Sequence, residues 1–579
     1  MAPSDTPHPS DGAPLSAARR AALLALAFGL WFLASPGVLA GDGLPVLGPA
    51  FLALWALAAA RPGPRAGWVE WAVGGIGLVA PTFWMAYVFP PSPAIAALGL
   101  GVYTAAAGLL LRRLLRRGWP LWLAAALAWL ALETLRDVLE PPLGFGWLRL
   151  GHLLGAWPWL LGSARWFGVE GGSFGLAALG GGLAQAWLRW RALEPAPRRP
   201  AWPLAALAPA GLLALAAALS RPPELAPGPA LLLVQPDVDV WDKHDQRTGS
   251  DRLREHLELT RAGLAAAESQ GLSIDLVVWP ETNLPFAVAA PGLDEAIAGG
   301  ARFPAWRGPE WSPRKLADLG RIERAALDNW IWPALGAVPA FLCGVERWNA
   351  AQGLLRRENA ASLWQQAGDA LRQDSLKLAL APGGETVFGL ERWGWLRARI
   401  EAAAGYLPDL LPGEHSQVLE FVDRSGTRRS VLATVCFDNA HQYPYLEGLA
   451  RRDAEFIAVL SNEAWYHGQL ELDQMLAFSR ALAVITGRPL VRATNDGLTL
   501  ALGPDGRELA RLTVDGQDRG VAGCLSLRLP VPASGIPRPP YGPLAPWLRG
   551  LCLALPLALA LPRAAGLSRR ERNRTPRGG

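Results

Sequence analysis

Residues 274–281 read IDLVVWPE, a run of strand character from Ile274 to Trp279 that is stopped at once by Pro280 and followed by the carboxylate of Glu281. β-Branched and aromatic residues suit a buried pleated surface, and proline cannot continue the hydrogen-bonded ladder. Upstream, a polar helix-compatible stretch runs from Arg252 to Gln270, and before it the apolar run Ala230 to Gln235 (ALLLVQ) follows the linker RPPELAPGP. Strand, helix, strand is the opening of an α/β layer architecture. Further strand candidates are Ala340 to Gly344, Ser430 to Cys436, Phe456 to Ser461, Pro489 to Thr494 and Leu498 to Leu502. Reactive groups in α/β folds gather where strands end. Three such ends supply a carboxylate or a thiol: Glu281, Cys436 after SVLATV, and Asn462-Glu463 after FIAVLS.

Outward from this domain the composition changes. The chain has 579 residues, 51% apolar and only 18% charged. The apolar residues crowd into 18–220 and 545–562 as runs of about twenty, the length that crosses a hydrocarbon core of ~30 Å at 1.5 Å per residue. Hydropathy places spans near 20–36, 44–60, 69–89, 93–111, 120–138, 171–189, 203–219 and 546–562. The expected organisation is a disordered tail over 1–17, seven transmembrane helices over 18–220, an extramembrane catalytic domain over 222–541, an eighth span over 545–562 and a basic tail over 563–579.

Arginine fixes the orientation. Arg19 and Arg20 precede the first span, Arg61 and Arg65 follow the second, Arg112, Arg113, Arg116 and Arg117 follow the fourth, and Arg189, Arg191, Arg198 and Arg199 follow the sixth. The loops PGVLAGDG and PPSP carry no Lys or Arg, although Arg149 and Arg165 follow the fifth span. By the positive-inside rule both termini are expected in the cytoplasm and the globular domain on the outer side. The net charge of +5 therefore reports membrane boundaries, not a nucleic-acid partner. A cleavage site at Val38-Leu39-Ala40 is the alternative reading of the first span, but removing that span breaks the charge pattern. Glu133 lies inside the fifth span, and an ion pair with Arg136 one helical step away is its simplest explanation. Trp119, Trp122, Trp157 and Trp159 read as interfacial belts.

Four cysteines, at 343, 436, 524 and 552, show no CxxC spacing and no metal-ligand spacing with the seven histidines, so neither a zinc site nor a disulfide framework is expected. Taken alone, Cys436 at the end of a buried strand reads as a small hydrophobe. A nucleophilic thiol needs a base and a cation or donor for the oxyanion it generates, and Glu281 and Lys377 are suited to those jobs.

WPET at 279–282, K-x4-P-x-GE from Lys377 to Glu385, and CFD at 436–438 resemble the nitrilase superfamily. More narrowly, GFGWLRLGHLLGAWPWL at 144–160, LLLVQPDVDVWDK at 231–243, SNEAWYHG at 461–468 and GRPLVRATNDG at 487–497 are similar to bacterial apolipoprotein N-acyltransferases. The resemblance spans nearly the whole chain. It implies a multi-pass α-helical membrane domain joined to an α/β nitrilase-type sandwich of αββα layers. It also implies Glu281 as general base, Lys377 beside the tetrahedral intermediate, Cys436 as nucleophile and Glu385 as accessory acid. No cofactor or metal is implied. The implied donor is a membrane phospholipid, the acceptor is the α-amino group of a diacylated apolipoprotein, and the implied location is the bacterial inner membrane with catalysis on the periplasmic side.

Asn359 in RENAASL and Trp241 in VDVWDK match family positions near the site, or are an ordinary strand residue and an ordinary aromatic. Lys377 as a solvated lysine and Glu385 as a mere structural partner are the plain alternatives. The chain departs from the family at Asp438, where Glu is usual and the shorter side chain loses reach, at Pro444, and at Met475, where His is common. The stretch between Glu281 and Lys377 is long and holds Trp306, Trp311, Trp330 and Trp332, fitting either a membrane-facing lid or a helical hairpin packed on the domain. Residues 389–412, with Trp393, Trp395, Leu396 and Ile400 beside Arg392, Arg397 and Arg399, read as an interfacial helix or an ordinary amphipathic one. A membrane-tethered amidase passing the acyl group to water, and a silent scaffold, are the competing functions.

Overall fold

The computed structural model describes residues 14–39, 41–61, 63–139, 143–191, 205–239, 249–304, 312–366, 372–404, 407–466, 470–533 and 538–561. Trp241, Trp306, Trp311, residues 1–13 of the N-terminal tail and the C-terminal tail lie outside the described residues.

Helices cover each of the stretches read as spans: α1 (Ala17–Ala34), α2 (Gly48–Ala60), α3 (Ala66–Val79), α4 (Ser92–Arg116), α5 (Leu121–Val138), α6 (Ala164–Arg191), α7 (Ala208–Leu219) and, far along the chain, α11 (Tyr541–Ala560). Among the described residues α1, α4 and α11 are long and apolar enough to cross a membrane. Their outward faces stay apolar: Leu26, Ile95, Val102 and Leu557 are all more than half exposed. Such faces suit lipid, not water. The third stretch is shorter than expected. Helix α3 stops at Val79, and Pro81, which has no N–H to donate, sits in the single 3-10 turn that follows.

One charge expectation changes, and two of the arginines at the span ends prove to be paired. Glu133 takes the Trp129 indole N–H at 2.8 Å and the Leu150 amide at 2.7 Å, while Arg136 donates to the Leu148 carbonyl at 2.7 Å. The expected Glu133–Arg136 pair gives way because the returning loop brings backbone groups that satisfy each side chain separately. Arg20 and Arg112 do not sit free at membrane boundaries; both are buried on Glu70, at 3.3 Å and 2.5 Å, tying α1, α3 and α4 together. A buried charge is tolerated only with such partners.

The remaining elements form two stacked sheets. One holds β1 (Leu225–Gln235), β2 (Leu276–Trp279), β3 (Val288–Ala289), β4 (Ala340–Ala351), β5 (Leu354–Gln365), β6 (Gln373–Leu376) and β13 (Gly523–Pro532), in the order β13-β1-β2-β4-β5-β6 with β3 paired to β4. The other runs β12-β11-β10-β9-β8-β7, from β7 (Val418–Val422), β8 (Arg428–Val435), β9 (Phe456–Ser461), β10 (Leu490–Thr494), β11 (Leu500–Leu502) and β12 (Glu508–Arg511).

Alternation along the strands builds the layers. Leu231 and Leu233 of β1 face inward to meet Val431, Val435 and Leu460 of the opposite sheet. Ala230, Leu232 and Val234 face outward and pack with Leu253 and Leu257 of α8 (Gly249–Ser269). On the far side Ile457 and Val459 pack on Leu472, Leu476 and Leu482 of α10 (Leu470–Thr486). The result is an αββα sandwich beside a bundle of apolar helices. The parallel strands β1, β2 and β4, and β8, β9 and β10, end toward the same cleft, which places Glu281 and Cys436 within one site.

Candidate active site

Glu281 and Cys436 leave their strands at a strained or proline-marked turn. After β2, Pro280 and Glu281 turn so tightly against β4 that a Cβ on Gly344 would lie 2.4 Å from the Cα of Glu281, and Thr282 adopts a φ of 47°. Cys436 follows β8 with a φ of 48°, a left-handed conformation that costs a non-glycine residue ~1–2 kcal/mol. Strain of this kind is held where the surroundings over-determine the geometry. Lys377 follows β6 directly and is 1% exposed, so it is not a solvated surface lysine.

Lys377 Nζ donates to Glu385 Oε1 at 2.8 Å and to Glu281 Oε1 at 3.2 Å. Asn359 Nδ2 donates to the same two oxygens, at 3.2 Å and 2.7 Å. Glu281 Oε2 accepts the backbone N–H of Asn462 at 2.9 Å, and Glu385 Oε2 accepts that of Ala381 at 2.8 Å. Both carboxylates are therefore oriented at both oxygens. Burial works against the Lys377 charge, but Cys436, Glu281 and Glu385 outweigh it and hold the ammonium well above its usual range. Burial, then the neighbouring Glu281, push the Cys436 thiol well above its usual range, with Lys377 pulling the other way. The resting site thus holds an ammonium and a neutral thiol, so nucleophilic attack requires the thiol proton to be taken as the bond forms.

Asp438 reaches farther than its length suggested. Its Oδ1 accepts from the amides of Leu378 and Ala379 at 3.0 Å and 2.7 Å, and its Oδ2 from Val435 at 3.1 Å. One side chain clamps the residues after Lys377 to the residue before Cys436. Burial pushes Asp438 up to about 7, against the pull of those amides and Lys377. The folded state therefore holds this proton more tightly than the unfolded chain, whose aspartates titrate near ~3.9. The stability that Asp438 contributes is full below that value and is lost as pH rises through 7. The melting temperature of the wild type relative to Asp438→Asn should accordingly fall between pH 5 and pH 8. A difference that grows with pH would show that the amide bonds outweigh burial.

Glu463, the third strand-end carboxylate, turns away from the site and pairs with the buried Arg492. Met475 is buried with its carbonyl and sulfur against Asn439 Nδ2, and Pro444 lies in the helix after the Cys436 turn. Trp393 and Trp395 stand exposed on α9 (Gly394–Ala404) and the turn before it, close in sequence to the exposed Phe388 and Leu390. Trp332 packs on the domain core near Ile331 and Leu335, so this part of the long insertion is a packed helical segment. Sequence reasoning named Asn462 only as part of a strand end and gave no role to its backbone amide, nor to an aromatic wall from the membrane half. Trp147 stacks on Phe437 at 5.7 Å, Trp84 meets Trp147 at 4.8 Å and Tyr466 at 4.9 Å, and Gln474 Oε1 accepts both indole N–H groups.

The chain matches two family models, one described as carbon-nitrogen hydrolase over residues 235–521 and one as the apolipoprotein N-acyltransferase N-terminal domain over 21–182. The sandwich half is thus a carbon-nitrogen hydrolase domain, the class that its fold and strand-end site define. With the N-terminal match added, more than half of the chain is accounted for, and it belongs to the apolipoprotein N-acyltransferase family. Proteins of that name from Azotobacter vinelandii (30% identical, covering 67% of this chain and 64% of that one) and Bordetella bronchiseptica (29%, 85% and 78%) are among its relatives. One from Chlorobaculum tepidum is 26% identical over 48% of each chain. The chain thus aligns with about half to two thirds of the length of the first and third of these relatives. The apolar helices and the family together make it a membrane protein.

Proposed function

We propose that this protein transfers a fatty acyl chain from a phospholipid, through a thioester on Cys436, to the α-amino group of a diacylated apolipoprotein. The observation that carries the reading is the buried Lys377 held between two oriented carboxylates next to a thiol whose turn is stacked on Trp147, from the loop that follows the membrane helix α5. A soluble amidase has no need of that last contact.

The steps follow from the charges. Cys436 Sγ attacks the ester carbonyl while Glu281 takes the thiol proton, and the carbonyl oxygen becomes an oxyanion near the Lys377 ammonium. Collapse expels the glycerol oxygen, which leaves with the proton from Glu281, and a thioester remains. The amine of the second substrate attacks that thioester, Glu281 takes a proton from nitrogen, and the departing sulfur is reprotonated. Glu385 and Asn359 keep Lys377 and Glu281 aligned, while Asp438 holds the two turns together. We place both termini in the cytoplasm and the sandwich on the periplasmic face of the inner membrane, in keeping with the arginine distribution. An Arg428→Cys variant should then react with a membrane-impermeant maleimide once the outer membrane is permeabilised; protection in intact spheroplasts would reverse the orientation.

Intact mass spectrometry of the purified protein in phospholipid micelles tests the chemistry. A hydroxylamine-sensitive acyl adduct that discharges onto a diacylated lipopeptide amine is the expected result. Discharge only to free fatty acid would make the protein a hydrolase, and no adduct from any donor would leave a silent scaffold.

A further inference from the structure

The general base of the proposed reaction depends on a backbone amide, and a second asparagine holds that amide in place. Glu281 Oε2 accepts the N–H of Asn462 at 2.9 Å, the first residue beyond β9. The side-chain oxygen of Asn462 accepts from Asn495 Nδ2 at 3.1 Å, and Asn495 is the first residue beyond the neighbouring strand β10. Asn495 is fully buried and saturated: Nδ2 also donates to the Val238 carbonyl at 2.7 Å, Oδ1 accepts the Val238 amide at 3.3 Å, its own N–H donates to Ser461 at 3.0 Å, and its carbonyl accepts from Asp237 at 2.8 Å.

From this connectivity we infer that Asn495 is a positioning residue for Glu281, acting through Asn462, a role that rests on Glu281 being the base. A carboxylate gains basicity in a given direction only when its plane is fixed. Oε1 is held by Lys377 and Asn359, and the bond from the Asn462 amide to Oε2 helps to fix the plane of the carboxylate. That bond comes from a loop residue beyond a strand end, where backbone torsions are otherwise free to relax. Asn495 pins the loop through the Asn462 side chain and joins it to residues 237–238, just beyond the end of β1. An aspartate at 495 keeps an acceptor for the Val238 amide and loses both donated bonds, so the link depends on an amide side chain.

The test is alkylation of Cys436 by iodoacetamide in the full-length detergent-solubilised protein, located by peptide mass and followed against pH, which needs no acyl donor. With the base fixed, the thiol proton is taken within the site and the rate changes little with pH around neutrality; with the base misplaced, the thiol proton goes to solvent and the rate climbs with hydroxide. Asn495→Ala should slow alkylation at pH 7 by about tenfold and convert the first profile into the second. Asn462→Ala keeps the backbone amide to Glu281 while cutting the link, and should do the same; it decides the matter if Asn495→Ala does not fold. Glu281→Gln is the reference. If Glu281→Gln slows the reaction and both asparagine variants keep the wild-type profile, Asn495 has no such role and Glu281 remains the base. If Glu281→Gln also leaves the profile unchanged, the assignment of the base falls and this inference with it.

Discussion

Cys436→Ala should abolish the acyl adduct and reduce lipopeptide acylation by on the order of 10⁴- to 10⁶-fold, the scale seen when a nucleophile acting as part of a unit is removed. Nothing else at the site replaces it: Cys343 is buried on β4 with its thiol on the Gly344 carbonyl, and Cys524 lies on β13 on the helix α8 side. The fold should survive, because Cys436 contributes as a small side chain in the inter-sheet core and Ala removes one sulfur only, at about 1 kcal/mol. Mass spectrometry of the variant with donor lipid, beside its melting curve, separates the two effects. An adduct that persists in Cys436→Ala would put the nucleophile elsewhere.

Lys377→Met should be harmful twice over. The substitution keeps the volume and removes the only cation bonded to both Glu281 and Glu385 among the described residues. Two carboxylates then share a buried site, and breaking such a network by removing one partner costs about 3–5 kcal/mol. Loss of the charge that faces the oxyanion costs a further ~10²–10³-fold in turnover. The stability loss should shrink as pH is lowered and one carboxylate takes up a proton, whereas the turnover loss should not. Melting curves at several pH values with single-turnover acylation distinguish these. A variant that is inactive yet as stable as wild type at neutral pH would mean that the carboxylates find another partner. Lys377→Arg is not a conservative rescue, because a planar fork cannot take the place of a compact ammonium at 1% exposure.

Much of the sandwich was legible because strand alternation and abrupt strand ends leave local marks. IDLVVW followed by Pro-Glu, and SVLATV followed by Cys, announce both the element and the carboxylate or thiol at its end. Lys377 and Glu385 carry no such mark. They are recognisable through resemblance alone, since what makes a lysine buried is the arrival of Glu281, nearly a hundred residues upstream. The amide of Asn462 was illegible in principle: every residue but proline has an N–H, and only tertiary placement decides which one meets a carboxylate. The same limit explains Glu133. Helical spacing offered Arg136 three residues away, but the amide of Leu150 and the indole of Trp129 were better placed. Glu70 makes the converse point, gathering Arg20 and Arg112 from helices whose arginines read as boundary markers.

The side chain of Gln474 sits where the two halves meet. Its oxygen takes the indoles of Trp84 and Trp147 while its nitrogen donates to the Pro81 carbonyl at 2.7 Å. Two segments from one half are thus read by a single amide on α10 of the other, and Trp147 in turn leans on Phe437, the residue after Cys436. The halves match separate family models, yet they are not interchangeable parts. A chimaera that borrows its membrane half from a distant relative inherits an active site only if the residues meeting at positions 81, 84, 147 and 474 arrive as a compatible set.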